Sequence, residues 1–175
     1  MRTYPLRMDW EPLPANLGNA QERLGSALET WKGTPYLSGQ RRRGIGGDCI
    51  GDIFGVIDDT DGRPRAQNPK LPADTSLHDR KSAYRAVVAI RRLYAPAERV
   101  RRVEGKLIVQ PGDLLVVGTS DGGPGHLMMV GVRKNTVWHA TRSNAGFDMT
   151  GWALGDGFER LFAVYRLQDR ERWMR

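Results

Sequence analysis

The first third of the chain carries the hydrophobic pattern of two helices. Residues 17–31 place apolar side chains at the three- and four-residue spacing of one helix face, which predicts an amphipathic helix. The residues that share this face are Leu24, Ala27, Leu28 and Trp31. A second apolar-periodic segment begins at Cys49 and continues to about Asp58, where an aspartate- and glycine-rich turn follows. The pattern therefore predicts two helices joined by a glycine-rich loop.

After Gly105 the apolar spacing shortens towards two residues, which is the period of β-strands. The predicted strands are residues 106–109, 114–117, 126–132, 136–140 and 161–167. The third and fourth are joined by Arg133-Lys134-Asn135, whose residue types favour a β-hairpin turn. Helices followed by an antiparallel meander predict an α+β fold, with the N-terminal helices packed on an antiparallel β-sheet.

We expect the 175 residues to form a single domain with one sizeable core. Residues 1–16, rich in proline and aromatic residues without periodicity, are interpreted as an extended N-terminal arm packed on the domain. Residues 61–104 are interpreted as an insertion that contains a basic helix over residues 76–94. The sequence contains no apolar run of membrane-spanning length, and its start lacks the apolar segment of a signal peptide. We therefore expect cytoplasmic synthesis, with any export following another route.

The composition adds a positive charge, because 27 Lys and Arg residues against 20 Asp and Glu residues give a formal net charge of +7. This charge suits nucleic acid, an acidic cell-wall polymer or a membrane surface, and it equally suits solubility alone. No recognition-helix motif or aromatic-basic platform accompanies it, so specific nucleic-acid binding is not expected. The triplet Arg41–Arg43 lies in the loop before Cys49 and is either a solvated loop or an anion-binding rim beside the thiol.

The chain contains one cysteine, so an intramolecular disulfide and a multi-cysteine zinc site are excluded. The three histidines lack the HExxH type of spacing, and we expect neither a metal nor a cofactor. Cys49 is predicted at a loop-to-helix junction, where the helix N-terminus favours a thiolate and can lower the pKa from its usual value of about 8.5. The alternative is a small, inert, buried side chain.

A thiol nucleophile needs a base, and the base needs a third group that orients its ring. His126 begins a predicted strand directly after a glycine-rich loop, and His139 lies in the partner strand of the same hairpin. The spacing is compatible with a Cys-His-His triad made of Cys49, His126 and His139, provided that both rings point to one face. His78 has no such partner and is interpreted as a surface residue.

Five short motifs follow one another along the chain: Gly33-Thr34-Pro35-Tyr36, Gly47-Asp48-Cys49-Ile50-Gly51, Pro111-Gly112-Asp113-Leu114-Leu115, Gly125-His126-Leu127-Met128-Met129-Val130-Gly131 and Trp138-His139-Ala140. Their order resembles the signature of the NlpC-type cell-wall cysteine peptidases, and the resemblance covers about residues 17–167. The resemblance implies a papain-like α+β fold and cleavage of peptidoglycan peptide stems, typically between D-γ-glutamate and a diamino acid.

The same resemblance implies roles for individual residues. Cys49 is expected to be the nucleophile, His126 the general base and then acid, and His139 the group that orients His126. Tyr36 and Asp48 match the family residues that flank the nucleophile and are expected to contact substrate. The family usually has serine where this chain has Ile50, so a polar contact to substrate is expected to be absent.

Three alternatives and one placement follow from the same features. A CHAP-type amidase would cut the sugar–peptide amide instead, and a structural phage-tail or wall-binding module would keep the fold without turnover. Nucleic-acid binding through the arginines ranks below both. A short domain without wall-binding repeats resembles the peptidases of bacteriophage tails, which implies association with tail-tip proteins and action at the cell wall.

Overall fold

The computed structural model describes residues 7–62, 97–104, 106–118, 124–141, 146–151 and 161–174. The predicted basic helix over residues 76–94 lies outside the described residues. Two α-helices, α1 (Ala20–Trp31) and α2 (Cys49–Asp61), are accompanied by 3-10 turns at Ala15–Leu17 and Arg170–Met174. The described strands are β1 (Arg7–Trp10), β2 (Arg41–Arg42), β3 (Gly46–Gly47), β4 (Ala97–Arg99), β5 (Arg102–Val103), β6 (Lys106–Val109), β7 (Leu114–Gly118), β8 (Pro124–Val130), β9 (Thr136–Thr141), β10 (Gly146–Gly151) and β11 (Leu161–Leu167).

The main sheet has six strands in the order β10-β9-β8-β7-β11-β4, and all its pairings are antiparallel. The predicted hairpin is β8–β9, and its register pairs Met129 with Trp138. Both helices belong to a hydrophobic core shared with one face of this sheet. The predicted α+β class, with helices packed on an antiparallel sheet, is therefore confirmed.

A second, three-stranded sheet covers the opposite face of the main sheet, in the order β1-β6-β5. Residues 106–109 were expected in the meander, but β6 instead pairs in parallel with β1 from the N-terminal arm. The reason is burial, because Leu107 and Val109 alternate inward and pack with Leu115 and Val164 of the main sheet. Residues 97–99 and 102–103, inside the expected insertion, also form strands of these sheets.

The helix boundaries differ slightly from the prediction, and both differences have a local cause. Helix α1 begins at Ala20 rather than residue 17, because Gly18 adopts a positive φ of 52° after the 3-10 turn. Helix α2 continues three residues beyond Asp58, to Asp61. It is capped by Gly62, which adopts the left-handed conformation with φ 71°. The active-site helix is thus closed by a glycine cap.

Close packing of α1 on α2 depends on Gly55, since a β-carbon there would overlap the Trp31 ring. The Trp31 indole N–H donates to Asp59 Oδ2 at 2.7 Å, and the Arg43 guanidinium donates to the same oxygen at 2.9 Å. One carboxylate oxygen therefore connects α1, the loop before the nucleophile and α2.

Candidate active site

Asp48 fixes the start of the helix that carries the thiol. Its Oδ1 accepts hydrogen bonds from the backbone N–H groups of Ile50 (3.0 Å) and Gly51 (2.8 Å), and Oδ2 accepts from Gly39 N–H (2.7 Å). This is N-capping geometry, which satisfies donors that the helix itself leaves unpaired. Asp48 thus has a structural role in the chain, and its contact with substrate stays a prediction.

The loop that precedes the cysteine is held against the first turn of α2. Tyr36 forms a parallel bridge with Gly47, Leu37 N–H donates to Gly47 O at 2.8 Å, and Gly47 N–H donates to Pro35 O at 2.9 Å. A β-carbon on Gly51 would overlap the carbonyl oxygen of Gln40. Tyr36 is partly buried against the core beside the nucleophile motif, and its contact with substrate stays a prediction.

The arginine triplet does not present all its charges to the thiol. Arg41 pairs with Asp58 and donates to Phe54 O at 3.2 Å, whereas Arg43 pairs with Asp59. Both acidic partners lie in the last turns of α2, where negative side chains oppose the helix dipole. The two arginines therefore neutralise the negative charges of Asp58 and Asp59 at the C-terminal end of α2. Their ion pairs argue against the anion-binding rim that was considered from the sequence.

The Cys49 thiol lies against strand β8. The side chain is buried, with 5% of its surface exposed, and the thiol is hydrogen-bonded by the backbone of Leu127. Leu127 directly follows His126, so this hydrogen bond brings the N-terminus of α2 to the strand that carries the predicted base. Ile50 is fully buried and belongs to the core, which explains how an apolar residue fits after the cysteine.

The two predicted histidines meet on one face of the hairpin. His126 Nε2 lies 2.8 Å from His139 Nδ1, and the ring planes are inclined by 71°. On the far side, His139 Nε2 lies 3.2 Å from Thr150 Oγ1. The condition that the sequence set for a triad, that both rings point to one face of the hairpin, is met by this contact.

Thr150 was not predicted, because strand β10 was not predicted. Strand β10 pairs with β9 in a register that sets Asp148 opposite His139, so Thr150 is the diagonal neighbour of His139. The alternation of Phe147 and Met149 with polar residues is a period-two signal that could have revealed this strand.

The pKa of the Cys49 thiol is raised to about 12, first by burial and then by the charge of Asp48, with a smaller contribution from Asp52, while backbone hydrogen bonds from Leu127 and Cys49 oppose the shift. The lowering that a helix N-terminus can provide is therefore outweighed by desolvation and by neighbouring acidic groups, and the net pKa is raised. Burial lowers the pKa of His139, with Asp148 opposing. At neutral pH the site thus contains a neutral thiol and a neutral His139.

Within the described part of the chain, no group of three or more His, Cys, Asp or Glu residues could hold a metal ion. Helices long and apolar enough to cross a membrane are likewise absent from these residues. His78 lies outside the described ranges.

The helix-borne thiol of Cys49 therefore lies against the strand that carries one of two facing histidines of an antiparallel sheet. Models of known protein families give no match to the sequence, and curated proteins give none either. Among solved structures, the chain is similar to an NLP/P60-family protein from Staphylococcus aureus subsp. aureus Mu50 that is described as similar to lipoprotein. The TM-score is 0.51 at 16% identity, over 95% of this chain and 45% of that one.

A second similar structure is the NlpC/p60 domain of the peptidoglycan hydrolase SagA, with 17% identity, a TM-score of 0.43 and coverage of 85% of this chain and 97% of that one. The chain spans less than half the length of the staphylococcal protein. At this level of identity the likeness to that protein is one of fold, and it confirms the papain-like α+β fold that the motifs imply.

Proposed function

We propose that the protein is a cysteine peptidase that hydrolyses peptide-stem bonds of bacterial peptidoglycan, at the D-γ-glutamyl–diamino acid bond. The observation that carries this proposal is the 2.8 Å contact between His126 and His139 beside a thiol bonded to the Leu127 backbone. The five ordered motifs and the fold shared with an NLP/P60-family structure support the substrate class.

We infer the tautomers from the contacts of the two rings. His126 Nε2 faces His139, and we therefore assign acceptance of the thiol proton to Nδ1. A neutral His126 that accepts at Nδ1 carries its proton on Nε2 and donates it to His139 Nδ1. His139 then carries its own proton on Nε2 and donates to Thr150 Oγ1. The donors run in one direction from Cys49 to Thr150.

The raised thiol pKa favours deprotonation during attack over a preformed thiolate. The sulfur of Cys49 forms a bond to the scissile carbonyl carbon while His126 Nδ1 takes the thiol proton. The imidazolium gives that proton to the leaving amine, the C–N bond breaks, and a thioester remains. Water, activated by the neutral His126, then releases the acid and restores the thiol.

Burial of His139 has a function in this sequence of steps. Only a neutral His139 can accept the Nε2–H of His126, and this acceptor must persist when His126 becomes an imidazolium. The lowered pKa of His139 keeps it neutral at neutral pH.

The backbone at the helix start supplies the oxyanion donor. The Ile50 and Gly51 N–H groups are already donated to Asp48, while the N–H of Cys49 is directed towards its own thiol. The Cys49 N–H is therefore the first-turn donor that we assign to the developing oxyanion.

Digestion of purified peptidoglycan tests the proposal, with release of free amines as the measurement. Cys49→Ala and His126→Ala are each expected to reduce the rate by about 10²–10⁴-fold. His78→Ala is the matched histidine control and is expected to retain activity. Undiminished amine release by Cys49→Ala would reject the proposal.

Mass spectrometry of the released muropeptides separates the alternatives. A new amine on the diamino acid supports the peptidase, whereas a new amine on the peptide's first residue indicates a CHAP-type amidase. His139 occupies the orienting position next to His126, where that amidase family more often has asparagine or glutamate. A fully silent protein whose thiol does not react with a thiol probe indicates a structural module.

Association with phage tail-tip proteins and action at the cell wall stay proposals. They are tested by detection of the protein in purified virions by mass spectrometry, and its absence from tails would contradict them.

A further inference from the structure

Asp52 is a buried carboxyl group that the proposed mechanism does not use. It lies one helical turn after Cys49, and none of its surface is exposed. Among the residues that the structure describes, neither carboxyl oxygen has a hydrogen-bond partner. Because a buried polar group without a partner costs free energy, its presence in the first turn of the active-site helix calls for an explanation.

The backbone around Asp52 leaves room for this side chain and for little else. A β-carbon on Gly47, two residues before Cys49, would overlap Asp52 Oδ1. Residues three apart on a helix share a face, so the carboxyl group and the thiol are neighbours. Asp52 therefore fills the space between the nucleophile's helix turn and strand β3.

The surrounding elements show which charges act on this carboxyl group. Asp48, at the cap of the same helix, is the charge that acts on Asp52. Arg41 on β2 pairs with Asp58, and Arg170 of the C-terminal 3-10 turn donates to Gln110. The histidines on β8 and β9 bond to each other. Helix α1 contributes apolar side chains to the shared core: Ala20, Leu24, Ala27, Leu28 and Trp31.

We propose that Asp52 is a positioning residue that sets the alkaline limit of Cys49 reactivity: protonated, it leaves the thiol free to react, and ionised, it suppresses thiol deprotonation. For catalysis this rests on the proposed function, but the effect on the thiol itself does not depend on a substrate.

The electrostatics agree with the geometry. Burial and the neighbouring Asp48 raise the pKa of Asp52 to about 8. Asp52 is therefore mostly a neutral acid at neutral pH and becomes a carboxylate in mildly alkaline solution. The carboxylate in turn raises the pKa of the Cys49 thiol. An ordinary cysteine becomes steadily more reactive as the pH rises. The reactivity of Cys49 is expected to rise less steeply once the pH is high enough to ionise Asp52.

Alkylation of the full chain tests the coupling, because Cys49 is its only cysteine. Iodoacetamide rates are measured for the wild type, Asp52→Asn and the control Asp9→Asn. At about pH 7 the wild type and Asp52→Asn are expected to react at similar rates, and at about pH 9.5 Asp52→Asn is expected to react about tenfold faster. A rate ratio that is the same at both pH values would overturn the proposal, as would the same gain in Asp9→Asn.

A second measurement does not depend on the variant's folding. In wild-type protein with ¹³C-labelled aspartate, the Asp52 carboxyl signal is expected to titrate in mildly alkaline solution, and titration near its ordinary pKa of about 3.9 would overturn the proposal. The two proposals fail separately. If the alkylation rates of the wild type and Asp52→Asn diverge with pH but peptidoglycan is not cleaved, the Asp52 inference is supported and the proposed peptidase function is rejected. If peptidoglycan is cleaved but the alkylation rates do not diverge, the peptidase function is supported and the Asp52 inference is rejected.

Discussion

The Nδ1 atom of His139 lies 2.8 Å from Nε2 of His126, and the opposite nitrogen of the His139 ring lies 3.2 Å from the hydroxyl of Thr150. Both ring nitrogens of His139 are therefore engaged, and a ring flip would disrupt both contacts. The orientation of the proposed base, His126, therefore depends on His139 and on Thr150 of β10, a strand that contains neither Cys49 nor His126.

Thr150→Val removes the hydroxyl while keeping the side-chain shape. Because His139 then loses the group that holds its Nε2–H tautomer, we expect kcat to fall about tenfold with KM unchanged, and Thr150→Ser to restore it. The ¹⁵N shifts of His139 report the tautomer directly. Unchanged kcat together with unchanged ¹⁵N shifts would remove Thr150 from the positioning role.

Two substitutions of Asp48 separate its role as the N-cap of α2 from the effect of its charge on Cys49. Asparagine is as good an N-cap as aspartate, so Asp48→Asn is expected to keep both cap hydrogen bonds, but its amide NH2 cannot accept from the Gly39 N–H. We expect Asp48→Asn to lose about 1 kcal/mol of stability and Asp48→Ala, which removes all three hydrogen bonds, to lose about 2 kcal/mol or more. Both variants remove a carboxylate that raises the pKa of Cys49, and both are expected to lower that pKa. Urea denaturation measures the first effect and thiol titration the second. A thiol pKa that is unchanged in both variants would contradict the electrostatic role.

The raised pKa of Asp52 has a consequence for stability. In the unfolded chain Asp52 titrates near its ordinary pKa of about 3.9, whereas in the folded protein its pKa is about 8. Between these values the folded state holds a proton that the unfolded state has released, so stability falls as the pH rises. Asp52→Asn cannot ionise at this position, so its unfolding free energy should not show this fall. Between about pH 4 and pH 8, the unfolding free energy of Asp52→Asn is expected to rise by on the order of a few kcal/mol relative to that of the wild type. Equal pH slopes of the unfolding free energy in the two proteins would contradict this.

The lowered pKa of His139 gives the free energy of unfolding the opposite pH dependence. Burial lowers its pKa in the folded protein below the ordinary value of about 6.5, so the unfolded state binds the proton more readily. Stability is therefore fully present above about pH 6.5 and decreases as the pH falls towards the folded-state pKa. His139→Gln should flatten this slope in urea denaturation between about pH 5 and pH 7. A slope that matches the wild type would assign the acid sensitivity to another group.

Arg166 compensates a fully buried carboxylate. It donates to both oxygens of Asp113, at 3.0 and 2.7 Å, and to Ile108 O at 2.9 Å. Arg166→Met removes the guanidinium that pairs with the buried Asp113, which keeps the hydrogen bond from the Gln110 backbone N–H, and should cost about 3–5 kcal/mol. The matched control is Arg172→Met, which removes an exposed pair with Asp169 and should cost within about 1 kcal/mol. Similar losses in the two variants would contradict the argument from burial.

The features that sequence periodicity predicted are those set by neighbours along the chain. The two helices and the β8–β9 hairpin follow from spacing within about fifteen residues and from turn residues, whereas the spacing left the facing of His126 and His139 as a condition. The parallel pairing of β1 with β6 joins Met8 to Leu107, and no local pattern encodes a partner at that distance. It arises because the outer face of the main sheet needs an apolar cover.

The electrostatics of the site could not be predicted from the sequence. The helix N-terminus suggested an acidic thiol, but the pKa of Cys49 depends on how deeply α2 is buried and on which carboxylates share its first turn. Asp52 falls on the buried face of a helix whose other inward residues are apolar apart from Thr60, and the sequence alone did not show that this carboxyl group has no partner among the described residues.

Asp59 Oδ2 accepts hydrogen bonds from both Trp31 and Arg43, at the opposite end of α2 from the thiol. A displacement of the loop before Cys49 would have to break this junction and disturb the packing of the two helices. The loop that precedes the proposed nucleophile is therefore held to both helices in the folded protein, which reduces the ordering entropy that substrate binding has to supply.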